Sequence, residues 1–508
     1  MRAGKLLLLL VAALVAVPIV AVFSAWLSID GELWQHFAST RLPQLLGNTL
    51  LLLVLVGIGV TVVGVGLAWL VSMFDFPGRR WLEWALMLPM ALPAYVLAFV
   101  FLGLFEYSGP VQGWLRANNL QLLTVADVRS AGSIALVMVA VLYPYVYLLA
   151  RNAFVNQGRH FVEAAQSLGA SPWRVALTVN LGMARPAITA GIALALMETL
   201  ADFGTVAIFN YDTFTVAIYK AWFHYFDLQM ACQLASILLL LVAVALMAET
   251  NARGKRAYND KQGEHRRQPL RGSRGWLASA LAGSVFALCF ALPMLQLLHW
   301  ALADMASTLD PHFRRLVWRT LALASMAALL TAAVAIGLGL LQRYSERGWK
   351  TRLISFAKLG YALPGTVLAV GIVMPLGLFE RISLPLKDAL GLPGQLLLGT
   401  VATLVIAYMV RFLAVAMGPM ESALSKLKNS IPEAATSLGA DRLRLFTSIY
   451  LPLIRSAVLL AMLMVFVDVV KEMPATLLMR PFGWDTLAVR IFEMTSEGQY
   501  QQAALPAV

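Results

Sequence analysis

The chain has 508 residues, 60 % hydrophobic and 13 % charged, with a mean hydropathy of +0.75; soluble chains carry roughly a quarter charged residues, so a water-soluble globular domain is excluded. The net charge of +12 invites a nucleic-acid partner, but Lys and Arg gather between apolar runs, mainly on one side, which points to lipid headgroups and to no nucleic acid. Cys232 and Cys289 both lie in apolar runs, so neither a disulfide framework nor a thiolate metal site is expected.

A bilayer is crossed by about 20 predominantly apolar residues in a helix. Such stretches predict spans at 6–28, 48–73, 82–105, 132–150, 184–205, 231–249, 276–299, 316–341, 354–378, 393–410 and 456–478. The expected class is an all-α polytopic membrane protein. Arg2 and Lys5 precede the run Leu6 to Leu27, which is longer than the roughly 7–15 residues of a signal-peptide core, so the first span is expected to be retained. With the N-terminus in the cytoplasm, inner segments carry more than twice as many Lys and Arg as outer ones, the positive-inside bias. The stretch Arg253 to Arg274, with eight Lys and Arg, then becomes a cytoplasmic linker beside anionic membrane lipid.

The second part of the chain repeats the first. Ala91-Leu92-Pro93 followed by Val96-Leu97-Ala98 returns 271 positions later as Ala362-Leu363-Pro364 and Val367-Leu368-Ala369, as do Thr49-Leu50 and Thr320-Leu321. Glu163-Ala164-Ala165-Gln166-Ser167-Leu168-Gly169-Ala170 returns at offset 270 as Glu433-Ala434-Ala435-Thr436-Ser437-Leu438-Gly439-Ala440, identical at seven of eight positions. An even number of spans separates the copies, so they face the same side. Two parallel six-helix repeats place a substrate path between them, a transporter architecture. The expected division is a first half at 1–250, a basic linker at 251–275 and a second half at 276–508. Because Val508 falls where a twelfth span is due, that half is expected to be truncated at its last helix.

Each duplicated octapeptide falls in an inner loop between the fourth and fifth spans of its half. Phe161 to Leu168 is predicted as a short helix ended by Gly169, which reaches left-handed geometry without steric cost. Ser171-Pro172 in one copy and Asp441 in the other are predicted to cap a second helix. The product is a helix-glycine-helix elbow that moves two spans when pushed.

Ionisable residues within spans are costly and mark pathways by default. Glu198 and Asp202 lie in the expected fifth span; Asp468, Lys471 and Glu472 lie in the eleventh. At offset 270 Glu198 matches Asp468 and Asp202 matches Glu472, while Lys471 matches Ala201. Two readings stand open. A two-fold arrangement puts four carboxylates around one axis, an acidic path or gate suited to a hard cation. Alternatively the charges pair with each other, Asp468 with Lys471 at i, i+3, and hold the bundle in register. No metal-ligand set is assigned.

Glu-Ala-Ala, then Gly five residues after the first Ala, then Leu451-Pro452, resembles the EAA loop of ATP-binding-cassette (ABC) importer permeases of type I. The first copy departs from it, with Leu181-Gly182 in place of Leu-Pro. The resemblance implies that Glu163, Ala164, Ala165 and Gly169, with Glu433, Ala434, Ala435 and Gly439, belong to coupling helices that dock on two copies of a cytoplasmic ATPase. The chain has no P-loop pattern, so it is expected to bind no cofactor, ATP and Mg²⁺ residing on that partner. The segments Glu198 to Thr205, Thr213-Phe214 and Ile218 to Phe223, with Lys471 to Leu478, Arg480 to Gly483 and Asp485 to Ala488, look like the fused two-half ferric-iron permeases of the bacterial inner membrane. That likeness implies a periplasmic binding protein docking on Asn210–Phe226 and Arg480–Tyr500. Thiamine, polyamine, sulfate and phosphonate permeases share comparable scaffolds. A proton-coupled secondary transporter would use the same carboxylates without an ATPase. A membrane enzyme would need a reactive constellation, yet the six histidines show no ligand spacing.

Overall fold

The computed structural model describes residues 2–28, 31–119, 128–156, 165, 167–169, 171–253, 267–305, 309–344, 348–390 and 395–508. Among them, eleven helices are long and apolar enough to cross a membrane, as expected of an all-α polytopic chain. The sheet among the described residues is a two-residue parallel ladder, Phe74–Asp75 with Gln268–Pro269, which pins the end of the basic linker.

The repeated Ala-Leu-Pro breaks two of the expected spans. A proline ring crowds the helical conformation of the residue before it, and Leu92 (φ −78°, ψ 129°) and Leu363 (φ −76°, ψ 117°) are extended accordingly. The expected span 82–105 becomes a helix Arg79–Ala85, a 3₁₀ turn Leu88–Ala91 and a membrane helix that starts at Ala94. The expected span 354–378 becomes Trp349–Ala357, a 3₁₀ turn Lys358–Ala362 and a helix Gly365–Leu390.

Three other boundaries move. The fifth span is Leu177–Ala201 and the eleventh Leu443–Val470, so Asp202 and Lys471 are C-cap residues and Glu472 lies beyond the helix. The tenth is Val401–Lys426 in place of 393–410. Thr400 sets its start by accepting a hydrogen bond from Thr403 N (3.3 Å), and the helix continues past Arg411 because that charge has a partner, described below. Apolar windows locate span centres; caps and ion pairs locate the ends.

The chain forms two compact units that do not coincide with the sequence halves. One comprises 1–30, 218–239 and 309–491; the other comprises 31–217, 240–308 and 492–508. In the first unit the N-terminal span packs among helices of the second repeat. Leu8, Val11 and Val15 share a core with Leu323, Ala327, Leu338 and Val373, and a Cβ on Gly371 would stand 2.6 Å from Pro18 O. Trp26 Nε1 donates to Ser236 Oγ (2.8 Å) and Gln233 Nε2 to Ala25 O (3.1 Å), closing the same unit. In the second unit, spans Leu42–Met73, Ala131–Val155 and Leu177–Ala201 pack on one another.

Candidate functional site

The second elbow is fully described. Helix Ser430–Ser437 ends with Ala440 N donating to Ala435 O and Gly439 N to Thr436 O, both at 3.0 Å, with Gly439 at φ +82°. This paired closure satisfies carbonyls that the helix end leaves open and needs a left-handed residue. Leu438 beside it is 87 % exposed, and Glu433 and Ala434 are exposed as well. Asp441 Oδ1 then accepts from Arg444 N at 2.8 Å, capping the helix Arg442–Leu445. This continues through a π turn, Phe446–Tyr450, into Leu451–Val470. The second helix of the elbow is therefore continuous with the eleventh span.

In the first elbow Glu163 and Ala164 lie outside the described residues. Ala165 is helical, Gly169 has φ +80°, and Ser171 Oγ accepts from Arg174 N at 3.3 Å. Helix Pro172–Val175, a π turn Ala176–Asn180 and helix Leu181–Ala201 follow. The same π turn appears with Pro452 in one copy and Gly182 in the other. The missing proline therefore does not alter how the elbow joins its span.

The charged residues at the far ends of these spans fall into two neighbourhoods, one in each unit. In the unit holding Asp202, its Oδ1 accepts from Thr205 N (3.0 Å) and Val206 N (3.3 Å), and its Oδ2 from Thr205 Oγ1 (2.9 Å). Thr215 Oγ1 donates to the Asp202 carbonyl (2.7 Å). Asp202 thus caps the short helix Gly204–Ile208 through neutral donors, and Glu198 lies one turn earlier on the fifth span. In the other unit Asp468 pairs with Lys471 at 3.0 Å, the i, i+3 contact expected from sequence. Glu472, only 6 % exposed, accepts from Ala475 N (3.0 Å), capping the helix Pro474–Met479. Asp468 in this neighbourhood is held by an ion pair.

Sequence reading missed the second partner of Glu472. Arg411 Nη1 lies 3.4 Å from Glu472 Oε1, with side-chain exposures of 13 % and 6 %. A span drawn to end at 410 puts Arg411 in the cytoplasm, whereas the helix Val401–Lys426 puts it near the middle. The signal was available: the apolar run resumes after Arg411, with Phe412 to Met417. Around the pair, Tyr408 and Thr476 hydroxyls lie 2.6 Å apart and Thr476 Oγ1 donates to Glu472 O (2.7 Å). Thr476 has one proton, already committed to that carbonyl, so Tyr408 is the donor between them.

A second repeat also escaped notice. Gly103-Leu104-Phe105-Glu106 returns as Gly377-Leu378-Phe379-Glu380. Glu106 accepts from Arg129 Nε (3.0 Å) and Tyr500 Oη (3.2 Å). Glu380 accepts from Leu397 N (2.7 Å), Leu398 N (3.3 Å) and Lys387 Nζ (3.4 Å). Each glutamate ties its helix, Glu106 at the C-cap and Glu380 within the last three turns, to the residues just before the next span.

Binding-protein-dependent transport system inner membrane components match residues 61–249 and 332–508, so each repeat, with its elbow and its span-end charges, carries one match. The chain belongs to that family. It is a multi-pass inner-membrane permease of the ABC importers. The permease is similar to the Fe(3+)-transport system permease protein FbpB 2 of Haemophilus influenzae, 28 % identical over 473 residues, covering 91 % of this chain and 86 % of that one. It is also similar to the sulfate transport system permease protein CysW of Escherichia coli, 35 % identical over 142 residues, 28 % of this chain and 47 % of that one. A probable sulfate transport system permease protein, cysT of Nephroselmis olivacea, is 30 % identical over 187 residues, 36 % of this chain and 64 % of that one. Family membership sets aside the proton-coupled and enzymatic readings.

Proposed function

We propose that the permease forms the translocation path for ferric iron handed over by a periplasmic binding protein. Two copies of a cytoplasmic ATPase, which bind ATP and Mg²⁺, drive it through Glu163–Ala170 and Glu433–Ala440. The carrying observation is the elbow: an exposed helix stopped at a left-handed glycine, then a capped helix continuous with the fifth or eleventh span. From Arg442 the second helix of the elbow runs through the π turn to Val470 without a break, so a displacement of the elbow is passed along it to the turn at Lys471 and Glu472. The likeness over nine-tenths of the chain to an Fe(3+) permease, against about a third or less for the sulfate permeases, supports the substrate.

The elbows face the cytoplasm, as does the N-terminus, in keeping with the distribution of Lys and Arg. The turns at 198–202 and 468–472 act as gate elements at the ends of the driven spans. Capping and pairing of Asp202, Asp468 and Glu472 suit a gate better than an open cation-binding ring. The test is uptake of labelled Fe(III) into proteoliposomes holding the permease, its ATPase and its binding protein. ATP-dependent iron uptake is expected. Sulfate uptake without iron uptake would reassign the substrate, and purification of an active permease without any ATPase would overturn the coupling mechanism.

A further inference from the structure

Two differences between the repeats occur together. At offset 270 Arg411 stands where the first repeat has Val141, and at offset 271 Gly365 stands where it has Ala94. The second difference makes room for the first: a Cβ on Gly365 would fall on Arg411 Nη1 and lie 2.8 Å from Glu472 Oε1. A methyl at the start of the ninth span would crowd both the guanidinium and the carboxylate. In the first repeat, Asp202 makes its bonds to Thr205 and backbone amides, and the corresponding positions hold Ala94 and Val141.

Arg411 sits near the centre of a membrane-length helix, where water is not at hand to replace a lost partner. Its Nη1 makes no normal hydrogen bond among the described residues, so the ion pair with Glu472 is that atom's compensation. Lys471 is engaged by Asp468, and Tyr408 by Thr476. If the turn after the eleventh span moves, Glu472 leaves Arg411 with a buried, uncompensated charge.

We propose that Arg411, Glu472 and Gly365 form a latch present in the second repeat alone, with Arg411 as the positioning residue that holds the 472–479 turn in its seated position. The role given to this latch rests on the reading of that turn as a gate. The two driven spans are consequently unequal: the fifth ends in a turn held by neutral caps, the eleventh in one held by a charge pair.

The experiment is hydrogen–deuterium exchange on the assembled complex in lipid nanodiscs, comparing amides of 475–479 with those of 204–208, alongside uptake by the same preparations. Arg411→Met and Gly365→Ala are each expected to speed exchange at 475–479 on the order of tenfold, leaving 204–208 unchanged. Arg411→Lys keeps the charge and is expected to recover part of the protection. Arg411→Met combined with Glu472→Gln removes both charges and is expected to lie nearer wild type than Arg411→Met alone. Ala94→Gly in the first repeat is expected to change neither segment. Wild-type protection of 475–479 in Arg411→Met overturns the latch. Faster exchange in Arg411→Met and Gly365→Ala with unaltered uptake supports the latch and overturns the gate reading beneath it.

Discussion

The turn at Asp202 and the turn at Glu472 occupy the same place in the two repeats and do the same local work, a carboxylate capping a short helix, yet they are secured by different physics. Asp202 is held by a threonine hydroxyl and two amides. Glu472 is held by one amide and a buried arginine. Neutral caps are individually worth about 0.5–2 kcal/mol. Removing one partner of a buried ion pair costs about 3–5 kcal/mol because the other charge is left behind. A duplicated fold can therefore keep its geometry while its two copies acquire different resistance to movement. The elbows show the opposite case: glycine, cap and π turn recur in both copies, so the elbows stay alike while the turns at the far ends of the same spans have diverged.

The largest effect expected from this contrast is Glu472→Ala, which loses a cap and strands Arg411, at a cost of about 3–5 kcal/mol. Asp202→Ala loses only neutral bonds, about 1–2 kcal/mol. Thermal unfolding of the two purified variants measures the difference, and equal losses would erase the distinction between the turns. Next come the elbows. Gly439→Val and Gly169→Val each force a β-branched residue into left-handed backbone at about 1–2 kcal/mol. Each is expected to abolish most ATP-driven uptake while membrane insertion is retained. Loss of uptake from one variant and full uptake from the other would show the levers to be as unequal as the turns.

The smallest effect is at the second helix of each elbow. Asp441→Ala removes a 2.8 Å cap bond and is expected to cost about 1 kcal/mol. Ser171→Ala removes one of 3.3 Å and is expected to cost about half as much. Both are read from the stability of the purified complex. A larger loss from Ser171→Ala would mean that the first elbow leans harder on its cap than the second.

Much of this molecule was legible in its residues. Runs of apolar side chains about 20 long can only be spans, and repeated Glu-Ala-Ala and Gly fixed the elbows. Glycine followed two residues later by serine or aspartate specifies a left-handed stop and a new cap by backbone chemistry that needs no distant partner. The pairing of Asp468 with Lys471 was equally local, since one helix brings i and i+3 together.

Tertiary structure decided what depends on distant partners. Arg411 looked cytoplasmic because an unpaired arginine ends a span; Glu472, 61 residues away in the chain, is its ion-pair partner among the described residues and makes it tolerable inside one. Gly365 looked like any glycine at the start of a helix until the guanidinium beside it showed what a methyl would strike. The expected halves likewise follow the repeat in sequence, whereas the N-terminal span buries Leu8, Val11 and Val15 among helices of the second repeat. An apolar helix records in its sequence that it must be covered, and leaves to the fold which helices cover it.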